Sequence, residues 1–238
     1  MSKASSLQKN QAKQFNDKLN LERTKVYNDE SGLERLVFFS DAVFAIAITL
    51  LALDIRLPVD AAELDNHQLW INLLNIWPKY LSFIISFLVI GNFWIAHHHR
   101  FRAIVRYNTR LLLLNLLVLM SVAFIPFPTA ILSESGNRTA TIFYALSISM
   151  TGLLSALLWR YASRENRLTA ADYDPAIARL NLLSILTTPA VFGLSIILAF
   201  LSPELAKFSW ILTAPAALMV GKFYPRLENK KVKNEYKS

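Results

Sequence analysis

The 238 residues include no cysteine. That excludes disulfides, thiolate metal sites and cysteine nucleophiles. Histidine is scarce, at four, and three are the adjacent His97, His98 and His99. Consecutive helical residues point in different directions, so these three cannot converge on one metal. Also missing are a G-x-x-x-x-G-K-[ST] phosphate loop, an H-E-x-x-H pair and a G-x-S-x-G elbow. Each would have announced a known chemistry. No enzyme activity, metal site or cofactor is therefore expected, and no nucleic-acid partner. Residues 1–30 lack any apolar run, so they do not read as a secretory signal. They are expected to form a polar cytoplasmic tail.

What the chain does have is apolar length. It is 54% hydrophobic, yet carries 25 Lys and Arg against 17 Asp and Glu. A soluble domain this apolar has no need of a basic surface, whereas a membrane protein with basic cytoplasmic loops needs both. The organising stretch is 31–55. Ser31 and Glu34 have the spacing of a capping box, which predicts a helix start. Between residues 36 and 53 the only ionisable group is Asp41. Those 18 residues make about 27 Å of helix, close to the thickness of a bilayer core. Further apolar segments cover 80–96, 111–132, 140–159, 180–201 and 208–221, the second entered by Trp77-Pro78. Pro189 and Pro215 lie inside the last two, where neighbouring helices can satisfy the freed carbonyls. Residues 56–66 read as a polar loop. The expectation is an all-α membrane protein with six transmembrane helices in residues 31–221, followed by a basic tail at 222–238.

The loop charges orient it. Arginine and lysine concentrate in the N-terminal flank, in the loops after the second and fourth spans, and in the C-terminal tail. Only Arg56, Lys79, Arg138 and Lys207 fall on the other side. Cytoplasmic loops are the basic ones, so both termini are expected in the cytoplasm.

Within the first span, Ile46, Leu50 and Leu53 recur at i, i+4 and i+7 and form one stripe. Thr49 lies beside it, about 60° round, and Asp41 lies about 140° from Ile46. A stripe of this kind suits a pore wall, a lipid contact or a helix contact. Asp41 is a carboxylate inside the membrane zone, which marks a functional site by default. With a histidine it would also suit a proton relay in a secondary transporter. Against that, the six spans show no internal repeat. A non-transporting scaffold would explain the hydropathy, but not the clustering of Arg, Asp, Trp and His.

Arg35-x-x-x-Phe39-Ser40-Asp41 at the head of the first span resembles the R-x-x-x-F-S-D signature of the transmembrane protein 175 family, and A-V-F-A-I-A-I-T-L-L after it is similar to that family's first helix. Trp94-x-x-His97-His98-x-x-Phe101 resembles its second conserved patch, and residues 115–129 its third helix. The resemblance covers 35–129. It implies a potassium channel of the lysosomal type, in the form with one six-helix unit per chain found in bacteria. Such a channel would be a homotetramer in the plasma membrane, touching lipid and passing K+, with the first helix lining the pore. The family lacks a T-V-G-Y-G filter, as does this sequence. By resemblance Ile46, Leu50 and Leu53 form the constriction, and Thr49 is the pore-facing selectivity residue. Arg35, Phe39, Ser40, Asp41, Trp94, His97 and His98 fall in the motifs of a structural network bracing that helix. Asp54, followed by Asp60, Glu63 and Asp65, would face the outer mouth and concentrate cations there. Ala42, Ala45 and Ala47 are small enough to let neighbouring helices approach. The alternative is a proton channel or proton-coupled transporter using Asp41 and His98.

Overall fold

A computed structural model describes residues 30–57 and 64–213, together with Gln14, Tyr27 and Ala62. Both tails, and residues 214–221 of the sixth expected span, lie outside the described residues, as do Asp60 and Glu63. Among those described there is no strand, only two isolated bridges. Five helical segments are long and apolar enough to cross a bilayer: Glu30–Asp54, Trp77–Phe101, Thr109–Ser135, Arg138–Asn166 and Pro175–Leu201.

The first span opens with α1, Glu30–Leu50, which tightens into a 3-10 turn over Leu51–Asp54. The helix is under way one residue before its expected start. Ser31 therefore sits inside the first turn rather than capping it. Next comes α2, Asn66–Asn75, a ten-residue helix where the hydropathy gave no span. Its cap is reciprocal. Asp65 Oδ1 accepts from the Gln68 amide at 2.7 Å, while Gln68 Oε1 accepts from the Asp65 amide at 3.1 Å. Asp65 is thus engaged as a cap, not free at a mouth. The second span is α3, Trp77–Phe101, with Pro78 in its first turn, where a missing N–H costs nothing.

The third expected span is two helices. α4, Thr109–Phe124, ends at Ile125, and α5, Pro126–Ser135, continues from it. Pro126 and Pro128 have no N–H to extend the ladder, so the break falls where they stand. The carbonyls near it find other donors. The Ile125 amide reaches Val122 O at 3.1 Å, and the Thr129 hydroxyl donates to Ile125 O at 2.9 Å. Thr129 also meets Ser86 of α3 at 2.9 Å, and Ser86 meets the Tyr144 hydroxyl at 3.0 Å. This buried knot ties α3 and α5 to α6, Arg138–Ser163. Gly136 ends α5 with φ 56°, a left-handed cap that suits glycine.

The fifth span is α7, Pro175–Leu201, and after it come α8, Pro203–Ser209, and a 3-10 turn at Trp210–Leu212. Trp210 folds back, stacking on Phe192 at 5.3 Å and donating to Ser195 Oγ at 2.9 Å. α6 and α7 pack through Gly152, which receives the Pro189 ring. A Cβ built on Gly152 would sit 2.6 Å from Pro189 Cδ. The proline inside α7 is thus a contact surface as well as a missing donor.

At the other end of the bundle the loops are bonded to one another. The Val105 and Arg106 amides both donate to Leu168 O, at 2.9 and 3.2 Å. Tyr27 and Tyr107 exchange backbone bonds at 2.8 and 3.1 Å, and their rings stack. The Tyr107 hydroxyl occupies the space a side chain at Gly32 would need.

The glycine contacts predict a stability difference. Gly152→Ala should destabilise the protein by about 1–3 kcal/mol through overpacking against the rigid proline ring. Gly91→Ala, where an added Cβ meets no atom within 4 Å, should leave it unchanged or slightly firmer. Thermal unfolding of the detergent-solubilised protein compares the two. A neutral Gly152→Ala would show that the α6–α7 contact is not tight.

Candidate functional site

The two sides of α1 differ sharply. Phe44, Ala47 and Leu51 are each 1% exposed and Ser40 is fully buried, all on the side packed against the rest of the chain. Ile46 and Leu53 are each 58% exposed and Leu50 39%. Arg35, Phe39, Ala42, Ala45 and Thr49 are exposed on that same open side. At about 100° per residue these positions form one continuous strip along the helix. The 3-10 turn shifts the angle of Leu53, but leaves it on the strip. Thr49 turns its hydroxyl back to Ile46 O at 2.9 Å, which satisfies the proton and leaves the oxygen outward. Of the three small residues, Ala47 packs inside its own subunit, so only Ala42 and Ala45 line the open face.

Polar contacts hold the closed side. Ser40 Oγ donates to Leu36 O at 2.8 Å and accepts from Asn115 Nδ2 at 2.9 Å. Asn115 Oδ1 in turn meets His97 Nε2 at 2.9 Å. The relay crosses α1, α4 and α3 in order, and Ser40, Asn115 and His97 are all buried. His97 is further stacked on Phe101, with ring centroids 4.2 Å apart. A second link is separate and half exposed: Trp94 Nε1 donates to Asp41 Oδ1 at 2.8 Å. His98 lies against the Trp94 ring at 5.8 Å.

Of the seven residues expected to act together, Ser40 and His97 therefore meet through Asn115, and Asp41, Trp94 and His98 meet around the indole. Arg35 and Phe39 stand apart on the open strip. Asp41 takes its donor from Trp94, and His97 turns to Asn115. Asn115 is not among the residues of the network expected from sequence. The signal was present, since it is the one amide in an otherwise apolar run, and a buried amide must find partners.

At the end of the 3-10 turn, Asp54 is half-buried in a cleft of about 740 Å³. Glu134 shares it, but so do Arg56 and Lys79. The Arg56 guanidinium donates to Leu53 O at 2.8 Å and Lys79 Nζ to Arg56 O at 3.2 Å. The cleft is mixed in charge rather than purely acidic. Among the described residues no cluster of three or more His, Cys, Asp or Glu is arranged to hold a metal ion.

Residues 35–126 match the family model described as endosomal/lysosomal potassium channel TMEM175. That window contains α1, α3 and α4, and so both polar links. The chain is 39% identical over 173 residues to a potassium channel of Streptomyces collinus, covering 70% of this chain and 82% of that one. This chain belongs to the TMEM175 family. A crystal structure of a lysosomal potassium-selective channel TMEM175 homolog from Chamaesiphon minutus has the same fold, with a TM-score of 0.70 at 32% identity. The match covers 80% of this chain and 99% of that one. The chicken endosomal/lysosomal proton channel TMEM175 is 30% identical over 129 residues, 52% of this chain and 26% of its own length. These TMEM175 relatives are ion channels, not enzymes.

The buried relay should matter more to stability than the half-exposed link. Asn115→Ala strands His97 Nε2 in an apolar interior, at about 1–3 kcal/mol, and removes the donor to Ser40 Oγ, which keeps its bond to Leu36 O. Trp94→Phe removes one bond to a carboxylate that water can reach, and should cost less. Thermal unfolding of the two variants ranks them. The reverse order would place the main brace of α1 at Asp41.

Proposed function

We propose that this chain is a potassium-permeable cation channel, assembled as a homotetramer around its α1 helices. The observation that carries the reading is the sidedness of α1. A helix inside the family-matched region leaves Ile46, Thr49, Leu50 and Leu53 uncovered, while its opposite side is tied to α3 and α4. One helix per subunit cannot enclose a pathway, so several copies must supply the wall. The potassium channels to which the chain is similar give the ion.

Rings of isoleucine and leucine make a neck that excludes water, because no side chain replaces the hydration an ion gives up there. Opening then needs only a modest rotation or dilation of α1. The Thr49 oxygens contribute to discrimination between K+ and Na+. Without a carbonyl filter that discrimination rests on the lower dehydration cost of K+, and is less sharp. Ser40, Asp41, Trp94, His97 and His98 brace the helix rather than bind the ion, while Arg35 stands on the open strip outside that network. Each subunit has six spans, with both termini in the cytoplasm of a bacterial plasma membrane and Asp54 near the outer mouth.

A second reading has support in the chicken relative, which is named a proton channel. Asp41, Trp94 and His98 are contiguous, and a proton path beside α1 would pass them. Reversal potentials of the purified protein in planar bilayers separate the two. Under opposing K+ and Na+ gradients the potential should follow K+. A potential that tracks pH alone would favour the proton reading.

Ile46→Asn tests the gate. In a tetramer it introduces four polar side chains at one level. It should raise basal current several-fold and weaken ion discrimination. Ile197→Asn, on the exposed side of α7, should do neither. Equal currents from wild type and both variants would remove Ile46 from the gate, and a functional unit smaller than a tetramer on native mass would remove the proposed pore wall.

A further inference from the structure

At the end of the bundle where the α3–α4 and α6–α7 loops meet, arginines outnumber the acids that might pair with them. Among the described residues only Arg164 there has a carboxylate within 4 Å, its neighbour Glu165. Two of the others share one aromatic ring. The Arg110 guanidinium lies 5.1 Å from the Tyr161 ring centroid and the Arg167 guanidinium 4.8 Å from it. They are therefore no more than about 10 Å apart. Tyr161 is itself fixed, since Asn108 Nδ2 donates to its hydroxyl at 2.8 Å. Asn108 is buried and its other amide atom caps α4, accepting from the Leu111 amide at 2.9 Å. A rigid ring thus holds two exposed guanidinium groups close together with no counter-charge.

Cation–π contact uses the face of each guanidinium and leaves its N–H edge free. Two such edges suit an oxyanion, and a phosphate gains most from charge-assisted bonds of this kind. Position indicates which phosphate. Arg110 is the second residue of the span Thr109–Ser135, and Arg167 directly follows the span Arg138–Asn166. Both lie where helices leave the bilayer, at the level of lipid headgroups.

We propose that Arg110, Tyr161 and Arg167 form a site for the phosphate of an anionic phospholipid, and that its occupancy stabilises the foot of α1. The orientation of this end toward the cytoplasm, and the role of α1 as a pore helix, rest on the channel reading above. The link to α1 runs through bonds. Arg106 donates from one nitrogen to Asn166 O and Thr169 O, both at 2.9 Å, which ties the segment around Arg167 to the α3–α4 loop. Tyr107 in that loop pairs with Tyr27 and packs on Gly32, at the start of α1. A headgroup that draws Arg110 and Arg167 together holds this belt closed.

Native mass spectrometry of the purified full-length protein, titrated with phosphatidylglycerol or phosphatidylcholine, tests the site without relying on current. Phosphatidylglycerol should be retained preferentially. The pair R110Q/R167Q should weaken that retention about tenfold, while R102Q/R179Q, which removes the same charge from exposed positions off the ring, should weaken it less than about threefold. Tyr161→Phe keeps the ring and should retain the lipid. Equal losses in the two double variants would overturn the site in favour of diffuse surface charge. So would displacement of the lipid by inorganic phosphate at equal concentration, which would make the ligand a free anion. In bilayers, open probability should rise with phosphatidylglycerol content in wild type and not in R110Q/R167Q. A lipid-insensitive open probability would overturn the link to α1. Absence of current in every lipid, with binding intact, would instead defeat the channel reading and leave the lipid site standing.

Discussion

The relay from Ser40 through Asn115 to His97 sets the rotation of α1, and most of what the helix can do follows from that. Between helices in a bilayer there is no hydrophobic driving force to choose a face, because lipid tails are as apolar as leucine. From Leu36 to Leu53 this helix is apolar nearly all round. Its rotation must come from shape and from the few groups that need partners. Ser40 is such a group, fully buried and bonded twice. Ile46 lies six residues on, about 120° around the helix. Fixing Ser40 against α4 therefore leaves Ile46, Leu50 and Leu53 with nothing of their own subunit to cover them.

Each partner in the relay is itself constrained. His97 is clamped between Phe44 and Phe101. Asn115 donates to Ser40 on α1 and accepts from His97 on α3, so its amide is engaged on both sides. No member can rotate without stranding another. The Asp41–Trp94 link differs in kind. It joins α1 to α3 directly and nearer the surface, where water competes for both groups, so it adjusts a rotation that the buried relay has already chosen.

Much of this was legible in sequence, for a physical reason. A bilayer demands long apolar runs, and five of the six expected segments fall within helical spans, the third of them broken into two helices. Asp41 could be singled out because a carboxylate in such a run is costly, whereas Ser40, Trp94 and His97 came from the family resemblance. The rest depended on geometry that no run displays. The third segment reads as one run over 111–132, yet the helix breaks at Ile125 and resumes as α5 at Pro126, with Thr129, Ser86 and Tyr144 supplying local hydrogen bonding around the break. α2 was invisible to hydropathy since ten residues are too few to cross. Its start could have been read from Asp65 and Gln68, three apart. The assignment of His97 to Asn115 rather than to Asp41 follows from side-chain direction across two helices, which spacing in one segment does not contain.

The open strip itself argues for company. A helix face turned to lipid has no use for Thr49 and Arg35, and an isolated threonine there must hide its proton, as this one does against Ile46 O. Its oxygen still carries acceptor capacity that lipid cannot use. Arg35 adds a guanidinium near the foot of the same strip, in register with Ile46 and Leu53 about three and five turns above it. Ala42 and Ala45 supply the low relief that close helix packing requires. Small, apolar, weakly polar and cationic positions on one uncovered face are poorly matched to lipid alone. They fit the assembly proposed above, in which copies of the same helix would meet around a narrow, water-reaching axis, the alanines permitting approach, the leucines and isoleucine closing the gap and the threonine oxygen meeting what passes.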